Sequence, residues 1–350
     1  MPLRVKFLSK SSEADTTEYW GRFFPDTKNR IGEVQFVFDR DCRDYDWLVA
    51  YDTLPSISGE RFPRWEEILA CPRQNTLFMT SEPSTIKVYG EVFLSQFGHV
   101  LTSQEPWAVR HPNAIFSQAG LVWFYGKTYP EAAAHFPVGK TGIISTVCSI
   151  KQQNHTLHSR RYEFTQRLKT EFPALEIYGK GHRPVAAKFE ALDSFQYHLA
   201  IENHYAPHHW TEKLADTFLA GCLPFYYGCP NVFEYFPEES LIPIDICDFE
   251  TSFQIIRKAI ENQAYEKRFP AIREARRLIL EEYSTFPLLA RLIPTLHQPS
   301  EKPPGTEVIL SRHAWRKQHP LAAIADGIQR YLIRNRSRRA SRKTFHSSPV

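Results

Sequence analysis

The pattern of apolar and polar positions divides the chain into two stretches of the same kind. Short apolar runs at residues 5–8, 34–38, 47–51, 76–80 and 100–102 alternate with polar segments of helix length or with turn clusters. Such alternation predicts a parallel sheet with helices on its faces. The pattern pauses at Pro137-Val138-Gly139-Lys140-Thr141-Gly142 and restarts with runs at residues 143–149, 175–178, 197–201 and 223–227. Between these runs, Tyr162, Thr165 and Leu168 have helical spacing with Ser159 as the expected cap. Thr211 likewise caps a helix that stops at Gly221. Beyond Asp245 the chain reads as helical over 253–264 and 270–283. A Pro-rich loop follows at 296–308, then a last helix over 313–334 interrupted at Pro320. The expected fold class is α/β, with Rossmann-like domains over residues 1–138 and 139–310, a helix over 311–334 and a basic tail over 335–350. Phe23-Phe24-Pro25 and residues 55–63 read as loops, and Trp123, Phe124 and Tyr125 as core or interdomain packing.

Charge changes this picture at one end only. The net charge is +4, but seven basic residues lie between Arg330 and Lys343 and no acid follows Asp326; subtracting those seven charges leaves −3 for residues 1–329. The folded body is therefore mildly acidic, and the tail carries the basicity. Such a tail is either simply solvated or touches acidic phospholipid or nucleic acid. The expected partners include weak peripheral membrane contact through this tail and no nucleic acid. No apolar run approaches the length of a membrane span, and the first residues show no signal-peptide pattern. The six cysteines include no C-x-x-C pair, which fits reduced thiols and a cytoplasmic, at most membrane-peripheral, location.

The densest chemistry lies between Phe195 and Asp245. A strand ends on Glu202-Asn203, a loop passes through Pro207, and the helix begins at Thr211 with Glu212 and Lys213 in its first turn. In an α/β sheet, ligands bind where strands end and helices begin. A helix start exposes unpaired N–H groups and partial positive charge, which suits a phosphate. Lys213 opposes the helix dipole unless an anion sits there; otherwise it is a solvated lysine. Glu212 either favours the dipole or accepts bonds from sugar or ribose hydroxyls. Gly228 reads as a tight turn requiring glycine backbone angles. His198, His204, His208 and His209 with Glu202 raise the question of a metal. Pro207 disrupts the helix that would align His204 with His208, and no H-E-x-x-H spacing occurs, so no metal site is expected. Gly179-Lys180-Gly181 reads as a turn.

These residues carry a resemblance. Ile201-Glu202-Asn203, Thr211-Glu212-Lys213 eight residues on, and Gly221-Cys222-Leu223-Pro224 resemble the donor-domain signature of the alpha-1,3/4-fucosyltransferases, glycosyltransferase family 10, bacterial type. That family also carries an arginine seven residues before a leucine, then a strand ending in Tyr-Gly-Lys. Counting back from Leu168 gives Arg161, with Arg160 as the alternative, before Tyr178-Gly179-Lys180. The family's E-S-P segment, which holds its general base, is matched in part by Glu82-Pro83-Ser84, with Glu91 as the second candidate. Read from the residues alone, Glu82 at a strand end is either a cap or a carboxylate held on a rigid turn. The chain departs from the family at His209 and His204, and at Phe195-Gln196-Tyr197, where a lysine is missing.

The resemblance implies two Rossmann-like domains facing across a cleft, the GT-B arrangement, and an inverting transfer of fucose from GDP-fucose to an oligosaccharide hydroxyl. It assigns Glu82 as catalytic base, and Arg161 with Lys213 to the diphosphate; a guanidinium fork binds two phosphate oxygens at once. Asn203 and Glu212 would hold donor hydroxyls, and His209 the base or ribose. GDP-fucose is the donor substrate, with no other cofactor and no strict need for a divalent metal. Alternatives are a non-catalytic nucleotide- or carbohydrate-binding protein of the same fold, a transferase of a related deoxysugar, and a metal hydrolase built on the histidines.

Overall fold

The computed structural model describes residues 1–344, except residues 12, 57–59, 61, 63, 121, 151–155 and 300–306, with side chains as far as residue 340. The loops expected over 55–63 and 296–308 and the tail beyond 335 therefore lie partly outside the described residues. The chain divides into two compact units. One comprises Met1–Gly120 and Thr285–Ser337; the other comprises Leu121–Ser284 and Arg338–Val350.

The first unit is built on strands β1 (Leu3–Leu8), β2 (Arg30–Ile31), β3 (Val34–Val37), β4 (Trp47–Tyr51), β5 (Glu66–Ile68), β6 (Thr76–Met79), β7 (His99–Thr102) and β8 (Ala114–Phe116). Its main sheet runs β2-β3-β1-β4-β6-β7-β8, with every pairing parallel except β2 with β3. β5 pairs instead with Val308–Leu310 in a small antiparallel ribbon. β6 is wholly buried, and so is β4 up to the half-buried Tyr51 at its end, as strands covered on both faces must be. The two- and three-residue strands are too short to show a period, so the sequence pattern does not reveal them.

The division falls at Gly120, not 138, and the chain returns to the first unit at Thr285. The reason is packing. Phe286, on the helix Thr285–Leu296, is fully buried among Phe7, Trp20, Phe24, Phe36 and Phe38, with ring centroids 4.5–5.8 Å away. Thr285 Oγ1 donates to the Gly120 carbonyl, closing the unit where the chain leaves and re-enters. The sequence reading places no helix there, and no local pattern names the sheet that a helix covers.

The second unit holds β9 (Gly142–Val147), β10 (Leu175–Tyr178), β11 (Phe195–Ile201), β12 (Leu223–Tyr227) and β13 (Ile242–Pro243), all parallel, in the order β10-β9-β11-β12-β13. The helix after β9 spans His158–Glu171 and begins after Leu157, so Ser159 lies inside its first turn and does not cap it. The later helices are Phe249–Glu261 and Ala264–Leu278, the second enclosing Pro270, followed by a π-turn at Ile279–Tyr283. Tyr265 and Ile272, buried on either side of Pro270, hold that helix against the core. Near the C-terminus, Arg312–Gln318 and Pro320–Thr344 are separate helices. Trp123 and Tyr125 are buried, but Phe124 between them is 52% exposed.

Candidate functional site

The second sheet has a switch point. From β9 the chain moves outward to β10, then returns to place β11 on the other side of β9. Crossovers that diverge in this way leave a crevice at the carboxyl ends of the central strands. A cavity of about 260 Å³ occupies that position, reached by Thr146 and Val147 at the end of β9 with Ser149 beyond it, and by Ile201 at the end of β11 with Asn203 beyond it. The helix Glu212–Leu219 presents its N-terminus to it through Glu212 and Lys213. Four basic side chains line the cavity, Arg161, Lys180, Lys188 and Lys213, against the two carboxylates of Glu212 and Asp216. That balance suits an anion.

The helix start is fixed by a carboxylate from the preceding strand. Glu202 is fully buried; one oxygen accepts the Thr211 N–H at 2.7 Å and the other accepts the Thr211 hydroxyl at 2.6 Å. The hydroxyl in turn accepts the Lys213 N–H, so Thr211 is the N-cap expected from the sequence. The Lys213 ammonium lies 3.4 Å from Glu202, 3.0 Å from Glu212 and 3.1 Å from the Thr211 hydroxyl. Burial disfavours its charge, but the two carboxylates outweigh burial and hold its pKa above the ordinary lysine value. Burial likewise pushes Glu202 up, against the pull of Lys213. Glu212 is also penalised by burial, yet Lys213 and Lys188 hold it down at about 2. Gly228 has no positive φ; a Cβ there would collide with the Glu202 side chain, so close approach and not backbone angle requires the glycine.

Arg161, on the helix His158–Glu171, is buried and reaches the same cavity, and its charge is felt at Lys213. Among the described residues its Nε–H has no hydrogen-bond partner, and neither has the buried Oδ1 of Asn203. Buried polar atoms are ordinarily paired, so an open donor and an open acceptor on one cavity mark a place for a polar ligand. The neighbouring Arg160 turns to the Cys247 thiol at 3.7 Å and is not among the described residues that line the cavity.

Lys188 and Asp216, to which the sequence reading assigned nothing, join this group, as does His198, which was weighed there only as a metal ligand. Lys188 Nζ sits 2.7 Å from Asp216 and 3.8 Å from Glu212. Asp216 is buried and accepts the Phe124 N–H at 2.9 Å; burial, opposed by Lys188, leaves its pKa at about 6. His198 meets the Ser145 hydroxyl at 2.9 Å, and burial with Lys188 nearby lowers it to about 3, so its ring is neutral. Asp216 was legible one turn after Glu212 on a helix with a known start. Lys188 stands in a short 3-10 turn, Lys188–Ala191, with no local signal. Gly179-Lys180-Gly181 is the expected turn, with φ of +112° and +90° at its glycines, yet Gly179 and Lys180 line the cavity.

His209 departs from expectation. It is buried, packs edge-on against His204 at 5.2 Å, and does not line the cavity; burial and then His204 hold its pKa well below the usual histidine value. Glu82 belongs to the first unit, where it follows β6 with an exposed side chain. Glu91 opens a one-turn helix, Glu91–Leu94, half-buried and 3.6 Å from Arg110, so it is less exposed than a helix surface position suggests. Among the described residues no group of three or more His, Cys, Asp or Glu side chains could hold a metal ion.

Residues 139–269 match the family described as "Glycosyltransferase family 10 (fucosyltransferase) C-term". Among solved structures, an alpha1,3-fucosyltransferase is 15% identical, with 86% of this chain and 93% of that chain covered and a TM-score of 0.49. An alpha1,3-fucosyltransferase with GDP is 15% identical over 81% of this chain and 92% of that one, at a TM-score of 0.46. A glycosyltransferase from Rickettsia africae ESF-5 is 8% identical, covering 85% and 99%, with a TM-score of 0.43. Global likeness at this level carries no inference about substrate. The match over residues 139–269 coincides with β9 to β13 and with Arg161, Glu202, Asn203 and Lys213, so this part of the chain is similar to the C-terminal domain of glycosyltransferase family 10, the fucosyltransferases.

Proposed function

We propose that this protein is an inverting fucosyltransferase that moves fucose from GDP-fucose to a hydroxyl of an oligosaccharide. The observation that carries the reading is the convergence of Arg161, Lys213 and a helix N-terminus on one cavity, with the Arg161 Nε–H unpartnered among the described residues. The family match over residues 139–269 points to the sugar, and the cationic cavity fits the diphosphate that would carry it.

In this mechanism the bond between the fucose anomeric carbon and the β-phosphate oxygen breaks as the acceptor oxygen bonds to the opposite face of that carbon. Glu82 takes the acceptor proton, and GDP leaves with the bonding pair. Arg161, Lys213 and the helix N–H groups stabilise the charge that grows on the departing diphosphate; charge set in place beforehand is worth most where new charge develops. Lys188 adds to that field. Asn203 and Glu212 accept donor hydroxyls. His209, away from the cavity lining, serves the site through the His204 and Lys213 side rather than by touching the nucleotide base. The reaction needs no divalent metal, because these cations take its place.

Glu82→Gln tests the reading. Turnover of GDP-fucose should fall by roughly 10²–10⁴-fold, while GDP affinity, measured by calorimetry, stays at the parent value. A variant that still turns over normally would remove Glu82 as base. A parent protein that binds GDP but transfers no sugar would favour a binding protein of the same fold.

The structure bears on the membrane as well. On the helix Pro320–Thr344, Leu321, Ile324, Ile328, Tyr331 and Leu332 are all more than half exposed and recur at helical spacing beside the basic run. Among the described residues no helix is long and apolar enough to cross a membrane. An apolar stripe flanked by arginines suits the surface of an acidic bilayer. Co-sedimentation with phosphatidylserine vesicles that disappears when residues 320–350 are removed is the expected result; equal sedimentation with neutral vesicles would contradict it.

A further inference from the structure

Glu82 is exposed, yet the backbone that carries it is tied down by buried side chains. The Tyr89 hydroxyl accepts the Ser81 N–H at 3.1 Å and the Glu82 N–H at 3.4 Å, and donates to Asp52 Oδ1. From the other side, the Gln104 amide nitrogen donates to the Glu82 carbonyl at 2.6 Å and to the Lys87 carbonyl at 2.9 Å. Tyr89 is 1% exposed and Gln104 2% exposed, so neither brace is shared with solvent. A phenol that satisfies two successive backbone N–H groups while donating its own proton fixes the peptide on the N-terminal side of Glu82. The amide fixes the peptide on the C-terminal side.

The braces are themselves held. Asp52 follows β4 with φ of +65° and is 2.6 Å from Lys87 Nζ, which also donates to the Asp52 carbonyl at 3.1 Å. Burial penalises the Asp52 carboxylate, but Lys87 and its hydrogen bonds win and keep its pKa below the ordinary value. A charged, fully engaged carboxylate is a poor proton acceptor, so Asp52 is a support and not a rival base. Arg312 lies over the Tyr89 ring at 5.6 Å, and Gly90 (φ +88°) leaves room for Asp326 and Arg330, so the C-terminal helices press on the same segment. Gln104 is anchored in turn: its N–H donates to Thr102 Oγ1 at 3.0 Å, and that hydroxyl meets Thr80 Oγ1 at 2.8 Å across β6 and β7.

We propose that Tyr89 and Gln104 are positioning residues for the catalytic base: they clamp the two peptides that flank Glu82 and so aim its carboxylate at the acceptor hydroxyl. The inference rests on Glu82 being the base proposed above. Neither residue touches substrate; each acts through the Glu82 backbone. An extended strand end followed by Pro83 leaves the carboxylate orientation to ψ of Glu82 and its own rotamers, and the clamp removes the backbone part of that freedom. Aim matters because an ångström of misplacement at a reacting group costs about a hundredfold in rate.

The test is a double-mutant cycle on the full chain. Tyr89→Phe keeps the buried ring and removes only the oxygen that holds Ser81 and Glu82. Its kcat should fall about ten- to a hundredfold, with GDP affinity and the KM for GDP-fucose within twofold (about RT ln 2) of the parent. In a Glu82→Gln background the same change should lower the residual rate by less than threefold (about RT ln 3), because there is no base left to aim. Gln104→Glu, which turns the clamping donor into an acceptor facing two carbonyls, should give the same pattern, and it stands in if Tyr89→Phe does not fold. Three results are decisive. A Glu82→Gln enzyme with full turnover overturns the base itself, and the positioning role with it. An inactive Glu82→Gln beside a Tyr89→Phe of unchanged kcat overturns the positioning role alone. Equal losses from Tyr89→Phe in both backgrounds also overturn it, since the tyrosine would then act on the fold and not on Glu82.

Discussion

Each unit buries a lysine–glutamate pair, and the two pairs are finished differently. In the first unit Lys6 and Glu67 are both 0% exposed and 2.7 Å apart. Glu67 also accepts from the Tyr45 hydroxyl at 3.1 Å, Arg43 at 3.3 Å and the Trp65 indole at 2.9 Å. Among the described residues, no buried polar side-chain atom of that group is left unpaired. In the second unit Glu202 and Lys213 start a chain of charges that continues through Glu212 and Lys188 to Asp216 and opens on a cavity. Arg161 and Asn203 at its edge have atoms with no partner among the described residues. The first cluster is closed and ties β1 to the β5 ribbon. The second is open, and its unsatisfied atoms show where a ligand belongs. Burial and charge alone do not separate a structural ion pair from a binding one; saturation does.

The widest expected split comes from removing the lysine of each cluster. Lys6→Met and Lys213→Met each take the buried lysine from a buried carboxylate, although Arg43 still reaches Glu67, and such a loss costs up to roughly 3–5 kcal/mol. Both should therefore lower the urea midpoint substantially. Only Lys213→Met should also weaken GDP, by more than tenfold (about 1.4 kcal/mol) for the folded protein, because only there does the cation face the cavity. Calorimetry in the native baseline separates the two quantities. If Lys6→Met weakened GDP as much as Lys213→Met, the distinction between closed and open clusters would be broken.

The sequence shows one cluster far better than the other, for a physical reason. Glu202, Asn203, Thr211, Glu212 and Lys213 lie on one strand–loop–helix unit, so short-range rules bring them together: a strand end, a cap and a first turn. Arg161 could be counted from a nearby leucine. Lys188 comes from a 3-10 turn, and its place beside Asp216 depends on how two loops pack, which no local period encodes. Glu67 and Lys6 are 61 residues apart and meet only after the sheet forms. The same limit explains the unit boundary. The helix over residues 285–296 was not read from the sequence, and that its Phe286 fills the aromatic core of the first sheet is a fact about distant partners. His209 was drawn to the nucleotide by its neighbours in sequence, whereas its ring turns inward to His204.

A smaller effect sharpens the comparison from the open side. Asp216 has a pKa of about 6 in the folded protein against an ordinary 3.8, and Glu212 one of about 2 against 4.5. The signs are opposite. Glu212 adds stability above its ordinary pKa and loses it only as the pH falls towards 2, so between pH 4.5 and 8 it stays ionised beside Lys213. Asp216 binds its proton more tightly when folded, so its contribution is greatest below about pH 4 and is lost as the pH rises through 6. His198, lowered to about 3, pulls the other way, because the unfolded chain takes up its proton first as the pH falls. That term is common to the parent and to Asp216→Asn, so it cancels when the two are compared. The stability of the parent relative to Asp216→Asn should therefore increase from pH 7 to pH 4 by up to about 3 kcal/mol, from a shift near two units at 1.36 kcal/mol each. Urea unfolding at each pH reads the difference directly. A difference that stayed flat, or that grew with rising pH, would mean that Asp216 is ionised without penalty beside Lys188, and this part of the open cluster would then be as well satisfied as the closed one.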